Sequence, residues 1–158
     1  MSQAQKMQGF QAISGGQAEC YAIRDGKRVN CMNAIKLEAN LELETEDVPI
    51  LGQTTKGVKA TGMKLSGSAE FHFNSPYFNE IAMEFQKTGK MTYFDFQVTT
   101  EDKTANNGRH TVILKNVLLG SLPIIKFDAD GGYLVQEIDF TFERWEEPET
   151  FNMLPGME

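Results

Sequence analysis

The residues whose spacing comes nearest to a chemical site lie between positions 126 and 137. The run Lys126-x-Asp128-x-Asp130-Gly131-x5-Glu137 follows the spacing of an EF-hand calcium loop, with glycine at the sharp turn and a carboxylate at the twelfth place. Lysine stands where the first carboxylate ligand belongs, and the flanks alternate like strands rather than repeating like helices. A cation in a ligand position opposes calcium, so the segment reads as a turn between two strands. Glu137 and Asp139 then fall on the polar face of one strand, as a solvated or interface surface rather than an acid–base pair. His72 and His110 sit in separate strand-like segments without an accompanying Ser, Cys or Asp pattern, and read as sheet-surface residues. Gly52, Gly57 and Gly62 lack the GKS or GKT ending and the strand-to-helix context of a phosphate loop. Cys20 and Cys31 lack a CxxC spacing and a nearby histidine. They read as two small buried side chains, kept reduced in a cytoplasmic compartment although close enough to pair. No catalytic residue, metal ligand or cofactor site emerges.

The elements that would position these residues are mostly strands. QAECYAIR and KRVNCMNA flank Asp25-Gly26, a pair suited to a type I′ hairpin turn, in which both central residues need positive φ. That register sets Arg24 against Lys27 and Cys20 against Cys31. Ile35, Leu37, Ala39, Leu41 and Leu43 alternate with Lys36, Glu38, Asn40, Glu42 and Glu44, one set to each face of a strand. Met63, Leu65, Gly67, Ala69, Phe71 and Phe73 alternate likewise with Lys64, Ser66, Ser68, Glu70 and His72. The intervening 45–62 stretch is expected to be a long loop, too long for a tight hairpin.

Residues 76–88 form the one good helix candidate, with Ser75 as cap, Pro76 at the first position, Tyr77, Phe78, Ile81 and Phe85 at helical spacing, and Gly89 as stop. MTYFDFQVTT, HTVILKNVLL and YLVQEIDFTFE read as further strands, and LPIIKFDA as one more. The expected fold is mainly β: an antiparallel β-sandwich or barrel of about seven strands with one flanking α-helix. Residues 1–16 are expected to be an N-terminal arm, 17–147 the β domain and 148–158 an irregular tail.

The 158-residue length fits one domain able to bury a core without a metal or disulfide staple. Fifteen basic against 22 acidic residues leave a net charge of −7, which opposes tight binding to phosphate backbones. No apolar run approaches membrane-spanning length, and MSQAQKMQGFQA lacks the apolar centre of a secretory signal, so a soluble cytoplasmic chain is expected. Long strands leave exposed edges, which natural proteins often cover with a neighbouring copy. The residues alone therefore support an all-β, non-enzymatic domain suited to self-association.

Four segments in order, GQTTKGVKATGMKLSGSAEFHF, EFQKTGKMTYFDFQVTTEDKT, GRHTVILKNVLLGS and EIDFTFERWEE, resemble the tail tube proteins of contractile phages and PBSX-type defective prophages. The resemblance spans roughly residues 17–147 and contains no catalytic signature. It implies a tail-tube-like fold in which six copies close a ring, sheets join edge to edge into an inner barrel, and rings stack into a hollow tube. It also implies contacts with a sheath protein, a tape-measure protein and a baseplate tube initiator. DNA would be transient cargo, or the tube would puncture an envelope. No cofactor, enzymatic activity or membrane binding by the subunit is implied. The location is the virion tail or a phage-tail-like particle, after assembly in the host cytoplasm.

Under that resemblance the polar faces become a lumen lining: Lys36, Glu38, Asn40, Glu42, Glu44, Lys64, Ser66, Ser68, Glu70 and His72. The 45–62 stretch becomes the contact between stacked rings, through Glu46, Asp47, Leu51, Gln53, Lys56 and Lys59. Two other readings stand beside it: a type VI secretion-like tube or tail assembly protein, and a small-ligand-binding β-barrel.

Overall fold

The computed structural model describes residues 4–157, so positions 1–3 of the expected arm and 158 of the expected tail lie outside the described residues. In chain order the strands are β1 (Ala18–Arg24), β2 (Lys27–Asn30), β3 (Ala34–Val48) and β4 (Gly57–His72). The helix α1 (Tyr77–Thr88) follows, then β5 (Phe94–Glu101), β6 (Arg109–Ser121), β7 (Val135–Thr141) and β8 (Arg144–Glu149). The fold is mainly β, and every strand pairing among the described residues is antiparallel. The chain divides into two compact units, one of Met1–Asn33, Thr92–Val117 and Glu143–Glu158, the other of Ala34–Met91 and Leu118–Phe142.

In the first unit β2 pairs with β1, β1 with β5, β5 with β6, and β6 with β8. The β1–β2 turn has Asp25 at φ 52° and Gly26 at φ 76°, the two positive values a type I′ turn needs. Its core is Cys20, Ala22, Phe94, Phe96, Leu114 and Val117, with the Phe94 and Phe96 rings edge to face at 4.9 Å. Asn116 lies at φ 55° where the β5–β6 register shifts. Asp95 Oδ1 accepts its N–H at 3.1 Å, replacing the ladder bond that the bulge breaks. Sequence reading carries one strand through Glu143 and leaves 148–158 irregular. The structure instead ends β7 at Thr141 and starts β8 at Arg144. Pro148 is tolerated there because β8 pairs with β6 alone among the described residues, so one side needs no N–H.

In the second unit β6 pairs with β7, β7 with β4 and β4 with β3. Leu65, Ala69, Phe71, Ile138 and Phe140 are buried with Phe78 and Ile81 of α1. The Phe71 and Phe78 rings meet at 4.7 Å. Buried Gln136 donates through Nε2 to Asn79 Oδ1 at 2.7 Å, fixing helix to strand. The helix stops where its sequence dictates, with Gly89, at φ 72°, donating its N–H to Phe85 O at 2.8 Å. It starts one residue later than expected: Pro76 is the N-cap rather than the first helical residue, and Ser75 Oγ accepts only the Tyr77 N–H, at 3.4 Å, outside the cap position. Phe85, expected on the packed face, is instead half exposed.

Two expectations fail in this unit. LPIIKFDA forms no strand: its backbone finds no ladder, and Ile124, Ile125 and Phe127 are each more than 80% exposed. Side chains hold the segment's course, as Asn79 Nδ2 donates to Ile124 O at 3.3 Å and Lys126 Nζ to Val135 O at 3.1 Å. The 45–62 stretch is no long loop. β3 and β4 continue through it, pairing Glu46 with Lys59, Asp47 with Val58 and Val48 with Gly57, so that only residues 49–56 connect them. A type II-like turn closes the tip, with Gly52 at φ 84° and Gln53 donating its N–H to Ile50 O at 3.2 Å.

Candidate functional site

The register of β3, β4 and β7 assembles one polar face three strands wide. Lys36 lies opposite Glu70 and Glu70 opposite Glu137; Glu38 opposite Ser68 and Ser68 opposite Asp139; Asn40 opposite Ser66 and Ser66 opposite Thr141. Glu42 pairs with Lys64, and Glu44 with Gly62. His72 continues the row opposite Val135, its ring edge-on to Tyr133 at 6.0 Å. Every lumen candidate of the sequence analysis thus falls on this face, exposed or half-exposed.

Sequence reading missed that Glu137, Asp139 and Thr141 belong to the same surface. They sit about 70 residues away in the chain, and only pairing with β4 places them there. Asp139 Oδ2 also accepts the Ser121 hydroxyl at 3.1 Å, extending the polar row to β6. The face carries six carboxylates, Glu38, Glu42, Glu44, Glu70, Glu137 and Asp139, against two lysines, Lys36 and Lys64. It is an acidic surface, whose fixed charge repels polyanions.

The opposite face of the β3–β4 ribbon changes character along its length. Near β7, Leu65, Ala69 and Phe71 are buried. Gly67 is needed there: a Cβ would run into the Phe140 ring and the Glu38 carbonyl. Beyond Leu65, β4 pairs with β3 alone, and the apolar residues stand open, with Leu41 50%, Leu43 55%, Met63 55% and Val58 65% exposed. A register shift between Glu44 and Thr45 leaves Thr61 as an extra residue, its hydroxyl donating to Glu44 O at 3.2 Å. The bulge shifts the parity of β4 by one, so Val58 and Ala60 stay on the side of Met63.

Of the six residues expected at a stacking contact, Glu46, Asp47 and Lys59 lie in strands, while Leu51, Gln53 and Lys56 lie in the connecting loop. Leu51 at the tip is fully exposed. An isolated two-stranded ribbon with an uncovered apolar face is marginal in water.

The chemically suggestive residues do not converge. Asp128 and Gly131 make a turn, with Asp128 Oδ1 accepting the Asp130 N–H at 3.0 Å, while Glu137 projects from β7 beside Glu70. Among the described residues no three His, Cys, Asp or Glu side chains gather as a metal site. His110 stacks on Phe151 at 4.9 Å. An open polar depression of about 550 Å³ in the first unit is lined by Glu19, Arg28, Glu101, Lys103 and Arg109, among others. Arg109 is engaged there by Glu101 at 3.3 Å and lies 3.7 Å from Glu149, and Arg28 lies over the Tyr21 ring at 3.7 Å.

Asp102, which no motif marks, is the most tightly held carboxylate described. Ser14 N–H donates to Oδ2 at 2.9 Å, and Thr104 and Ala105 N–H donate to Oδ1 at 3.0 and 3.4 Å. The Ser14 bond, then those of Ala105 and Thr104, hold its carboxyl below the usual value against the opposing push of burial. It ties the expected N-terminal arm to the β5–β6 connection.

The family model described as phage tail tube protein (DUF2001) matches residues 5–149. The chain is 34% identical over 112 residues to the phage-like element PBSX protein XkdM of Bacillus subtilis (strain 168), covering 71% of this chain and 76% of that protein. Among solved structures it resembles a chain of the PVC extracellular contractile injection system sheath–tube complex in the extended state. That match has TM-score 0.66 and 13% identity, over 86% of this chain and 90% of the other. It also resembles a chain in the tail of an empty gene transfer agent particle refined with C6 symmetry. There the TM-score is 0.53 and the identity 14%, over 87% of this chain and all of the other.

Proposed function

The chain belongs to the phage tail tube protein family, and on that premise we propose how it builds the tube: six copies close a ring, with the acidic β3–β4–β7 face lining the lumen and the β3–β4 arm bridging one ring to the next. As a tail tube subunit its role is structural. The observation that carries the arrangement is the division of the β3–β4 ribbon. One face is open and carries the carboxylates from Glu38 to Glu44, while the other bears the exposed Leu41, Leu43, Met63 and Val58 beyond Leu65, with Asp47 opposite Val58 near the tip.

Ring closure follows from the edges. β2 and β3 each pair on one side only among the described residues, leaving ladder donors and acceptors for a neighbouring copy. A head-to-tail contact that closes removes every such edge. The gene transfer agent tail refined with C6 symmetry supports six as the number. The lumen needs to pass a polyanion without holding it, and an excess of carboxylates does this by repulsion. The exposed Leu41, Leu43, Val58 and Met63 supply the apolar area for the next ring, together with Leu51, Gln53 and Lys56 of the loop that joins β3 to β4.

The outer wall of the tube would meet a sheath protein and its inside a tape-measure protein. Rings would start on a baseplate initiator in the host cytoplasm, with no turnover of any substrate. Cryo-electron microscopy of tubes formed by the purified chain, alone or on an initiator, tests the arrangement. Six subunits per ring with Glu42 and Glu137 facing the channel are expected. A ring with these residues on its outer wall overturns the assignment.

A further inference from the structure

We propose that Cys20 and Cys31 are an oxidation site: a buried cross-strand dithiol that exchanges with a small-molecule disulfide and closes to a bond stapling β2 to β1. Nothing in the tube's structural role uses these thiols.

The β1–β2 register runs from Arg24 opposite Lys27 to Tyr21 opposite Asn30, and the next pair is Cys20 and Cys31. Cys31 N–H donates to Cys20 O at 2.9 Å, so the two form a hydrogen-bonded pair with side chains on one face. Such pairs have Cα atoms about 5.5 Å apart, inside the disulfide range of roughly 4.4–6.8 Å. Their Cβ atoms sit about 4.5–5.5 Å apart, wider than the roughly 3.8 Å a relaxed disulfide prefers. The bond therefore closes under strain, which makes it more oxidising and more easily reversed than a structural disulfide. Cys31 lies one residue beyond β2, and β2 pairs with β1 alone among the described residues, so the backbone can move to close the gap. Both thiols are free and nearly covered, 8% and 6% exposed.

Cys31 Sγ donates to Val29 O at 3.9 Å, a weak bond that oxidation gives up. One of the two thiols gives its proton to water and attacks one sulfur of a low-molecular-weight disulfide, breaking its S–S bond and releasing one thiolate. The other gives its proton to water, attacks the protein sulfur of the mixed disulfide and expels the second thiolate. The protein loses two electrons and two protons, and the small disulfide becomes two thiols. The site rests on the β1–β2 register. Only its timing rests on the tail tube reading, by which the chain folds among reduced thiols and acts after release into an oxidising exterior.

The test uses the purified, reduced full-length chain with oxidised glutathione, followed by alkylation under denaturing conditions and intact-mass measurement. The expected product is a monomer lighter by two hydrogens, refractory to alkylation and carrying no glutathione. Its melting temperature should rise on the order of 5 °C and return with dithiothreitol. Cys20→Ser and Cys31→Ser should each retain one glutathione on the remaining thiol, since neither has a resolving partner. Wild-type chains that alkylate fully after oxidation, keep a glutathione adduct, or cross-link between chains would overturn the proposal. If a serine variant does not fold, the wild-type mass decides. The measurement reads the isolated chain, so its failure leaves the tube assignment untouched, and failure to form tubes leaves the thiol result standing.

Discussion

Glu70 stands directly opposite Glu137 in the β4–β7 ladder, two carboxylates at one level of one sheet face. Like charges placed so oppose pairing, and the strands hold because Ala69, Phe71 and Ile138 are buried beneath them. Glu137→Lys should therefore stabilise the isolated subunit by about 0.2–1 kcal/mol, read by denaturant unfolding. The double change Glu42→Lys with Glu70→Lys sets lysines opposite Lys64 and Lys36, so it should weaken the hairpin modestly while permitting tube assembly and slowing DNA passage, measured as ejection rate from particles carrying the variant. Loss of the folded monomer in either case would mean that this face is packed rather than open.

The loop between β3 and β4 should act on assembly and not on folding. Leu51→Asp together with Lys56→Glu should change the melting temperature of the monomer by no more than a degree or so, since both sites lie outside the ladder. Tube length in electron micrographs should fall. Lys59→Glu is a poorer probe, because Lys59 lies opposite Glu46 and the change weakens the hairpin itself. Tubes of normal length built from the loop variant would remove the stacking role.

Gly67 should tolerate no side chain. A Cβ there meets Phe140 ring carbons at 2.6 and 2.8 Å, and on the other side lies the Glu38 carbonyl. Gly67→Ala should destabilise the fold by about 1–3 kcal/mol through overpacking. Combining it with Phe140→Leu should recover part of the loss, which a thermal melt of the three variants will reveal.

Asp102 sets an acid limit on the first unit. Its folded-state carboxyl is depressed, so its contribution is full above the ordinary aspartate value near 3.9 and drains away as pH falls below it toward the folded value. The protection factor of the Ser14 amide, its exchange relative to the intrinsic rate at each pH, should fall over that acid range and stay high near neutral pH. Asp102→Asn should weaken this protection at neutral pH and flatten its acid dependence. Unchanged Ser14 exchange in the variant would show that the arm is held by other contacts.

Local rules carried the sequence reading where backbone preference alone decides. Asp25-Gly26 selects a type I′ turn because both residues must take positive φ, and that turn by itself sets Cys20 against Cys31. Pro76 and Gly89 bound the helix through local backbone preferences that reach only a few residues. The alternation from Lys36 to Glu44 and from Met63 to His72 sorts the two faces of β3 and β4, with Ile35 left at a register shift, and segment order marked the family. Tertiary structure decided what depends on distant partners. Residues 45–48 and 57–62 carry no strong apolar alternation, yet extend as strands because each finds its ladder in the other. Residues 122–127 carry abundant apolar side chains, yet form no strand because no edge receives them. Glu137 and Asp139 join the acidic face through the register of β7 on β4. Strand pairing is a property of two segments at once, and no single stretch of chain encodes its partner's place.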